Sequence, residues 1–174
     1  MKAVVGLWLA TIGTASAWQL AIGAGAEWAQ VAGMRNGVNG TVVVSRQPFA
    51  GRRLSFAAGI ARLATPAGAP MIQTLTIWRL RCLWAWRVPL SYTFRPWLGV
   101  GTGVDRVIAG PCYRVDASGY AISRAPAAAS WLPIWTIAAV APLPAHLALR
   151  ISLASAIGAP PLSTVAASLL WRIF

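Results

Sequence analysis

The stretch Trp18–Trp28 reads WQLAIGAGAEW, and its alternate residues fall into two different sets. Counted from Trp18, every second residue is apolar, with a tryptophan at each end. The residues between them are glutamine, alanine, glycine and glutamate. Because side chains alternate between the two sides of a β-strand, this pattern predicts a strand between an apolar and a polar environment. A strand of about 9–11 residues with aromatic side chains at both ends can cross a membrane.

The N-terminal segment has the features of a signal peptide. Lys2 is basic, residues 3–12 are apolar, and Ala15-Ser16-Ala17 is a small-residue cleavage site. A membrane anchor is the alternative, but the apolar run is short and alternation begins directly after it. We therefore expect residues 1–17 to be a cleaved signal peptide and residues 18–174 to form a single barrel domain.

The composition is apolar and strongly basic. Hydrophobic residues make up 57% of the chain, and 15 basic residues stand against three acidic ones. Hydropathy alone would permit membrane helices near the C-terminus, but Pro142, Pro144 and the pair Pro160-Pro161 interrupt both apolar runs. Interior prolines break helical hydrogen bonding, whereas the same prolines fall where strands would need turns.

The rest of the chain contains seven further segments with strand-like alternation. They are Val38–Arg46, Arg53–Arg62, Met71–Trp86, Tyr92–Val104, Trp131–Ala141, Ala145–Ala156 and Ser163–Phe174. Loops at Gly33–Gly40, Leu63–Pro70 and Asp105–Ser130 alternate with tight turns at Gln47–Gly51, Arg87–Ser91 and Pro142–Pro144, and a short turn at Gly158–Pro161 comes last. Small membrane barrels alternate short periplasmic turns with longer extracellular loops. The pattern predicts an all-β fold, an eight-stranded antiparallel transmembrane β-barrel.

Residues 18–174 resemble the small eight-stranded outer-membrane β-barrel proteins of the OmpA/OmpX-like group, by pattern rather than by a diagnostic motif. Members of that group end in phenylalanine after alternating apolar residues. This chain ends LLWRIF, so Phe174 fits, whereas Arg172 stands where an apolar residue is usual. The resemblance implies a monomer in a Gram-negative outer membrane. It also implies contact with outer-membrane lipid and lipopolysaccharide, and insertion by the barrel-assembly machinery.

The inward faces of the predicted strands collect a polar network. Its members are Gln19, Glu27, Arg53, Arg79, Arg81, Arg95, His146, Arg150 and Arg172, with Asp105 as a further acid nearby. An eight-stranded barrel has an interior just wide enough for side chains to fill. Two interpretations stay open at this stage: a packed plug of arginines bonded to polar groups, and a basic lumen that admits anions.

The outward faces carry aromatic residues at the levels expected for a girdle. The predicted girdle consists of Trp18, Trp28, Trp78, Trp84, Trp86 and Trp171. On the predicted outer loops, Arg35, Arg114 and Arg124 could contact lipopolysaccharide phosphates, because guanidinium pairs with phosphate through two hydrogen bonds.

Three functions remain to be compared. The preferred one is a non-enzymatic structural or surface-interaction role, and the alternative is a narrow anion-permeable channel. The third is a lipid-A-modifying enzyme, for which a His-x-Ser pair near a carboxylate would be the signal. Ala148, not serine, lies two residues after His146, so catalysis is not supported. The sequence also contains no metal cluster, cofactor motif or nucleic-acid-binding module.

The two cysteines would suggest a disulfide in an exported protein. The predicted topology argues against it, because Cys82 lies on a strand near the periplasmic turn and Cys112 lies in an extracellular loop. We expect both thiols to be free, with Cys82 facing lipid and Cys112 exposed.

Overall fold

The structure is a computed structural model, and it describes residues 18–30, 34–66, 69, 71–91, 95–115, 118, 121–158 and 162–173. The predicted signal peptide, residues 1–17, lies outside the described residues. So do Phe174 and residues 92–94, with which the fifth predicted strand would begin.

The described residues form eleven β-strands. In chain order these are β1 Gln19–Gln30, β2 Met34–Phe49, β3 Arg52–Ala64, β4 Met71–Ile72, β5 Thr74–Arg87, β6 Trp97–Ala109, β7 Cys112–Val115, β8 Ala121–Ala125, β9 Ala128–Pro142, β10 Leu147–Ala156 and β11 Ser163–Arg172. Eight of them close a barrel in the order β1-β11-β10-β9-β6-β5-β3-β2, and β4, β7 and β8 form a separate three-stranded sheet. The predicted eight-stranded antiparallel barrel is confirmed.

Closure joins the first strand to the last. Every neighbouring pair in the barrel is antiparallel, and β1 pairs with β11 from Ala21↔Arg172 to Gln30↔Ser163. The paired residues can be followed from strand to strand once around the barrel. A path that starts at Trp131 on β9 returns to β9 at Ala141, ten residues further along the strand. This displacement shows that the strands are tilted against the barrel axis, as closure requires.

The two faces of the wall differ as the alternation predicts. On β10, Leu149, Ile151 and Leu153 are exposed outside, whereas Arg150 and Ser152 are buried inside. The same rule holds on β1, where Ile22 and Trp28 are exposed and Glu27 is fully buried. Apolar side chains therefore cover the outside, as a protein needs where its surroundings are lipid. In the part of the chain that is described, no helix is long and apolar enough to cross a membrane.

The barrel has two distinct ends. Trp18 and Arg172 lie at the end that carries the chain termini, here called the proximal end, together with the tight turn at Ala50-Gly51. The opposite, distal end carries the three-stranded sheet. Gly51 in the turn has a φ of 71°, a left-handed conformation that glycine adopts without strain.

Two predicted loops are largely strand. Residues 34–40 belong to β2, although their glycines and asparagines had suggested a loop at Gly33–Gly40. The predicted irregular segment Asp105–Ser130 contains the end of β6, all of β7 and β8, and the start of β9. Pairing with strands on both sides outweighs weak local propensity, which is why composition alone misplaced these boundaries.

The fourth predicted strand and the cysteines also need correction. Met71–Trp86 is divided, because Gln73 separates β4 from β5. Cys82 and Cys112 are both free, as expected. Cys112 is buried rather than exposed and is the first residue of β7 in the small distal sheet.

Gly101 on β6 is required by a close backbone approach. A Cβ placed there would lie 2.0 Å from the carbonyl oxygen of Cys82 on β5. At Gly40 on β2, by contrast, the nearest atom would be 4.0 Å away. The inner wall therefore has no room for a methyl group at Gly101, although the outer wall has room for one at Gly40.

We predict that Gly101→Ala lowers the free energy of unfolding by about 1–3 kcal/mol, the usual cost of overpacking. Gly40→Ala is the matched control and should leave it almost unchanged. The measurement is urea unfolding of detergent-folded protein, followed by the heat-modifiable migration of barrels on gels. Equal midpoints for the two variants would contradict the close approach at Gly101.

A second prediction tests which surface faces lipid. Ile151 lies in the middle of β10 and Ile173 just beyond the end of β11, and both are about half exposed. Arginine on a lipid face costs about 2–4 kcal/mol at the midplane of a bilayer and about 0–1 kcal/mol near its edges. Ile151→Arg should therefore reduce folding into lipid vesicles far more than Ile173→Arg. If both variants fold with equal yield, the barrel does not cross the bilayer at this level.

Candidate functional site

The inner wall brings four charged side chains of β1, β5 and β6 together. Arg79 and Arg81 lie two residues apart on β5, so both point inward. Asp105 is the partner of Arg79 in the pairing of β5 with β6. Glu27 comes from β1, which is separated from β5 by β2 and β3 in the order of the barrel. Its contact with Arg79 therefore crosses the lumen.

These four residues form a buried ion network. The Nη1 and Nη2 atoms of Arg79 donate to the two carboxylate oxygens of Glu27. The Nε of Arg79 lies 3.5 Å from Oδ2 of Asp105. Arg81 donates from Nη2 to the same Oδ2 at 2.8 Å and from Nε to Oδ1 at 3.4 Å. Both carboxylates are fully buried, so the network lies across the interior as a bridge.

A second group of polar side chains extends the network between β1, β2 and β11. Ser168 donates a hydrogen bond to Oδ1 of Asn39 at 2.9 Å. Asn39 in turn donates from Nδ2 to the carbonyl of Ala26 at 3.1 Å. Asn39 and Ser168 were not among the predicted site residues. Their inward phase was readable from the sequence, but their pairing depends on β1 bringing β2 and β11 together.

Side-chain hydrogen bonds connect β2 to the start of β5 and the end of β6 at the distal end of the barrel. Arg35 donates from Nη2 to Oε1 of Gln73 at 2.9 Å, and Gln73 donates from Nε2 to the carbonyl of Gly110 at 3.1 Å. Arg35 is buried and lies on β2. The prediction that Arg35 is a loop residue available to phosphates is therefore wrong.

The proximal half of the lumen contains Arg53 and Trp97. Arg53 donates from Nη2 to the hydroxyl of Ser45 at 2.5 Å. Its guanidinium carbon lies 5.8 Å from the ring centre of Trp97, a cation–π distance. Trp97 is buried, so this tryptophan fills the lumen instead of facing lipid. Arg172 and Gln19 lie at the proximal end of the wall, both partly buried.

Two predicted lumen residues lie outside the lumen. Arg95 is exposed and precedes Trp97, the first residue of β6. His146 is exposed in the turn between β9 and β10, with a φ of 62°. The expectation that these two side chains face the lumen is therefore wrong. A turn residue does not follow the alternation that strand residues obey.

Asp105 is part of the barrel wall, although it is the first residue of the predicted loop Asp105–Ser130. It continues the inward series of Gly99, Gly101 and Gly103 on β6. A Cβ at Gly103 would lie 2.2 Å from the carbonyl oxygen of Leu80 and 2.9 Å from Cγ of Arg81, so this glycine allows the close approach of β5 and its arginine. Extending the alternation past Val104 would have identified Asp105 as an inward carboxylate.

The predicted girdle tryptophans all lie on the outer surface. Trp18, Trp28, Trp78, Trp86 and Trp171 are exposed, and Trp84 is half-buried. Trp18, Trp84, Trp86 and Trp171 lie towards the proximal end, and Trp28 and Trp78 lie towards the distal end. Trp131, which the prediction omitted, joins the distal group, and the guanidinium of Arg106 lies 5.4 Å from its ring centre.

The lumen that remains between these side chains is small. One cavity of about 30 Å³ is lined by Asn39, Arg79, Arg81, Arg150, Ser152 and Ser168, among others. A second, also of about 30 Å³, is lined by Arg53, Ser55, Trp97 and Arg150, among others. A single water needs about 10–15 Å³ on this measure. Each cavity therefore holds a few small molecules at most.

Comparisons with known proteins identify the fold. The sequence matches no protein-family model. It also matches no curated protein. Among solved structures, Ail, the attachment invasion locus protein of Yersinia pestis, is similar with a TM-score of 0.55 and 9% identity, over 91% of this chain and 99% of that one.

Two further structures agree with this similarity. Ail in complex with the heparin analogue sucrose octasulfate gives a TM-score of 0.53 at 10% identity, over 92% of this chain and 100% of that one. Neisserial surface protein A gives 0.52 at 11% identity, over 88% of this chain and 96% of that one. The closed barrel with its apolar exterior thus has the fold of the small eight-stranded outer-membrane β-barrel proteins.

The bridge across the lumen yields a third prediction. Glu27→Gln removes the charge that faces Arg79, and breaking a buried ion pair from one side costs about 3–5 kcal/mol. Replacing both partners, as in Glu27→Leu with Arg79→Met, should recover much of this loss because no uncompensated charge remains at that position. Urea unfolding of the detergent-folded variants measures both effects. A double variant no more stable than Glu27→Gln would contradict the pairing of Glu27 with Arg79.

Proposed function

We propose that this chain is a non-enzymatic, non-conducting, monomeric protein of the Gram-negative outer membrane, with the proximal end in the periplasm and the distal end at the cell surface. The barrel-assembly machinery would insert it. Its function is to contact anionic surface ligands, above all the phosphates of lipopolysaccharide. The observation that carries this proposal is the three-stranded sheet of β4, β7 and β8, which stands at the distal end.

The distal sheet is built by the two long connections, β3 to β5 and β6 to β9. Met71 and Ile72 of β4 pair with Arg114 and Tyr113 of β7, and all four side chains are exposed. Because successive side chains alternate, Arg114 lies beside Met71 on one face of this sheet and Tyr113 lies beside Ile72 on the other. The exposed guanidinium of Arg114 suits a sugar that carries anionic substituents. The solved complex of Ail with a sulfated sugar analogue supports this class of ligand.

Two arginines on the outer wall support a contact with lipopolysaccharide. Arg62 on β3 and Arg106 on β6 face outward near the distal ends of their strands, and both are exposed. Arginine on a lipid face is tolerated near the membrane edge, where phosphate groups lie. Arg106 also lies over the Trp131 ring, which keeps its guanidinium at the level of the distal tryptophans.

The interior argues against the channel and the enzyme. The pair Glu27–Arg79 crosses the lumen, and the cavities on either side of Arg150 are each about 30 Å³. His146 is exposed in a proximal turn, whereas Ser152 faces the lumen and Glu27 is bonded to Arg79. These three residues therefore cannot act as a catalytic triad in this arrangement.

The fourth prediction compares two exposed arginines at opposite ends of the barrel. Arg114→Glu should weaken binding of lipopolysaccharide to the detergent-folded protein about 10-fold or more, since a hydrogen bond between charged groups contributes about 1.5–3 kcal/mol. Arg87→Glu, the same change at the proximal end of β5, should leave binding unchanged. Surface plasmon resonance at two salt concentrations measures both. Equal losses for the two variants would show that only net charge matters and would refute a distal site.

Single-channel recording tests the absence of conduction. The wild-type protein in a planar bilayer should give no sustained current in potassium chloride, because the ion bridge blocks the lumen. Sustained, anion-selective steps would instead support the channel.

A further inference from the structure

The lumen contains more positive than negative charge. Glu27 and Asp105 are two of the three acidic residues in the chain, and both are bonded to Arg79 or Arg81. The third acidic residue, Asp116, follows the last residue of β7 in the sequence and lies outside the described residues. The wall nevertheless also places Arg53 and Arg150 inside. Neither of these two guanidinium groups has a carboxylate partner among the described residues.

Arg150 is the extreme case. It is 7% exposed on the inner face of β10, and no hydrogen bond or ion pair joins its side chain to any described residue. Its neighbours do not compensate its charge, because Arg79 and Arg81 line one adjoining cavity and Arg53 lines the other. The buried Nε atoms of Arg53 and Arg172 also lack hydrogen-bond partners among the described residues.

A buried charge of this kind is strongly unfavourable unless something neutralises it. An arginine does not lose its proton readily, so deprotonation does not remove the buried charge. Glu27 and Asp105 are already bonded to Arg79 and Arg81, and the described inner wall carries no further carboxylate, so the compensating charge has to come from solution. We propose that Arg150 is the centre of a binding site for one small inorganic anion of the size of chloride.

The surroundings of Arg150 suit such an anion. Besides the guanidinium groups, the adjoining cavity is lined by Ser152, whose hydroxyl group can donate a hydrogen bond, and by Asn39, whose amide group has a second N–H besides the one bonded to Ala26. The volume of about 30 Å³ admits a monatomic anion with a water and excludes a large organic anion. Arg79, which is bonded to Glu27 across the lumen, lines the same cavity, so the site is a fixed position and not part of a conduction path.

The test uses the full barrel folded in detergent. Wild-type protein is folded in sodium chloride, sodium bromide or sodium gluconate at equal ionic strength, and urea unfolding is followed by gel migration. A ligand at a hundred times its Kd raises the ratio of folded to unfolded protein about 100-fold. The unfolding midpoint should therefore be higher in chloride and bromide than in gluconate, which is too large for the cavity. Equal midpoints in the three salts would overturn the proposal.

Three variants locate the effect. In Arg150→Met the unfolding midpoint should be the same in chloride and in gluconate. In Arg87→Met, at an exposed proximal position, the midpoint should stay higher in chloride than in gluconate. Ser152→Asp places a carboxylate two residues from Arg150 on the same face, where it can replace the anion. This variant should be as stable in gluconate as the wild type is in chloride. Its unfolding midpoint should not change when chloride is added. A chloride response that persists in Ser152→Asp or Arg150→Met would place the anion elsewhere and refute the assignment.

A direct measurement covers the case in which Arg150→Met does not fold. Chloride-35 NMR of the wild type should show line broadening from bound chloride, and Ser152→Asp should abolish this broadening. Crystals grown in bromide should give an anomalous peak within hydrogen-bond distance of the Arg150 guanidinium. No broadening and no peak in the lumen would refute the site independently of stability.

Discussion

The structure depends on one constraint: a strand inside a bilayer has no water with which to bond its backbone. An open sheet would leave two edges unpaired, and closure of β1 on β11 removes both. The tilt that closure imposes fixes which residues meet across the wall and which meet inside it. The contact of Glu27 with Arg79 is a consequence, since β1 and β5 face each other only in the closed barrel.

Closure also explains how a strongly basic chain can have a filled interior. Inward glycines let neighbouring strands and their side chains come close: a Cβ at Gly103 would meet both the carbonyl oxygen of Leu80 and the side chain of Arg81. The two inward acids bind two arginines and form a rigid bridge, but they leave Arg150 without a partner. The excess charge is thus a property of the inner wall. It ties the stability of the barrel to anions of the solution rather than to a transported solute.

The distal end follows a different rule from the wall. Outside the membrane, strands can be short, and water can satisfy their free edges. The sheet of β4, β7 and β8 uses this freedom to present Tyr113 and Arg114 beyond the barrel. Arg62 and Arg106 carry positive charge to the wall just below it. Basic groups at both levels suit a ligand whose phosphates lie at the membrane edge.

The sequence by itself determined the fold class and the phase of most of the wall. Alternation assigned Glu27, Arg79, Arg81 and Arg150 to the inside and Ile151 and Leu153 to the outside, because lipid and lumen impose opposite polarity on successive residues. It failed for Arg95 and His146, since alternation has no meaning in turns. It also failed for the Gly-rich start of β2 and for β7 and β8, where strand formation depends on a partner rather than on composition. Only the tertiary structure decided which charges meet. Closure joined Glu27 to Arg79, and the pairing of β5 with β6 placed Asp105 opposite Arg79 and within reach of Arg81. Arg150 was left facing other cations.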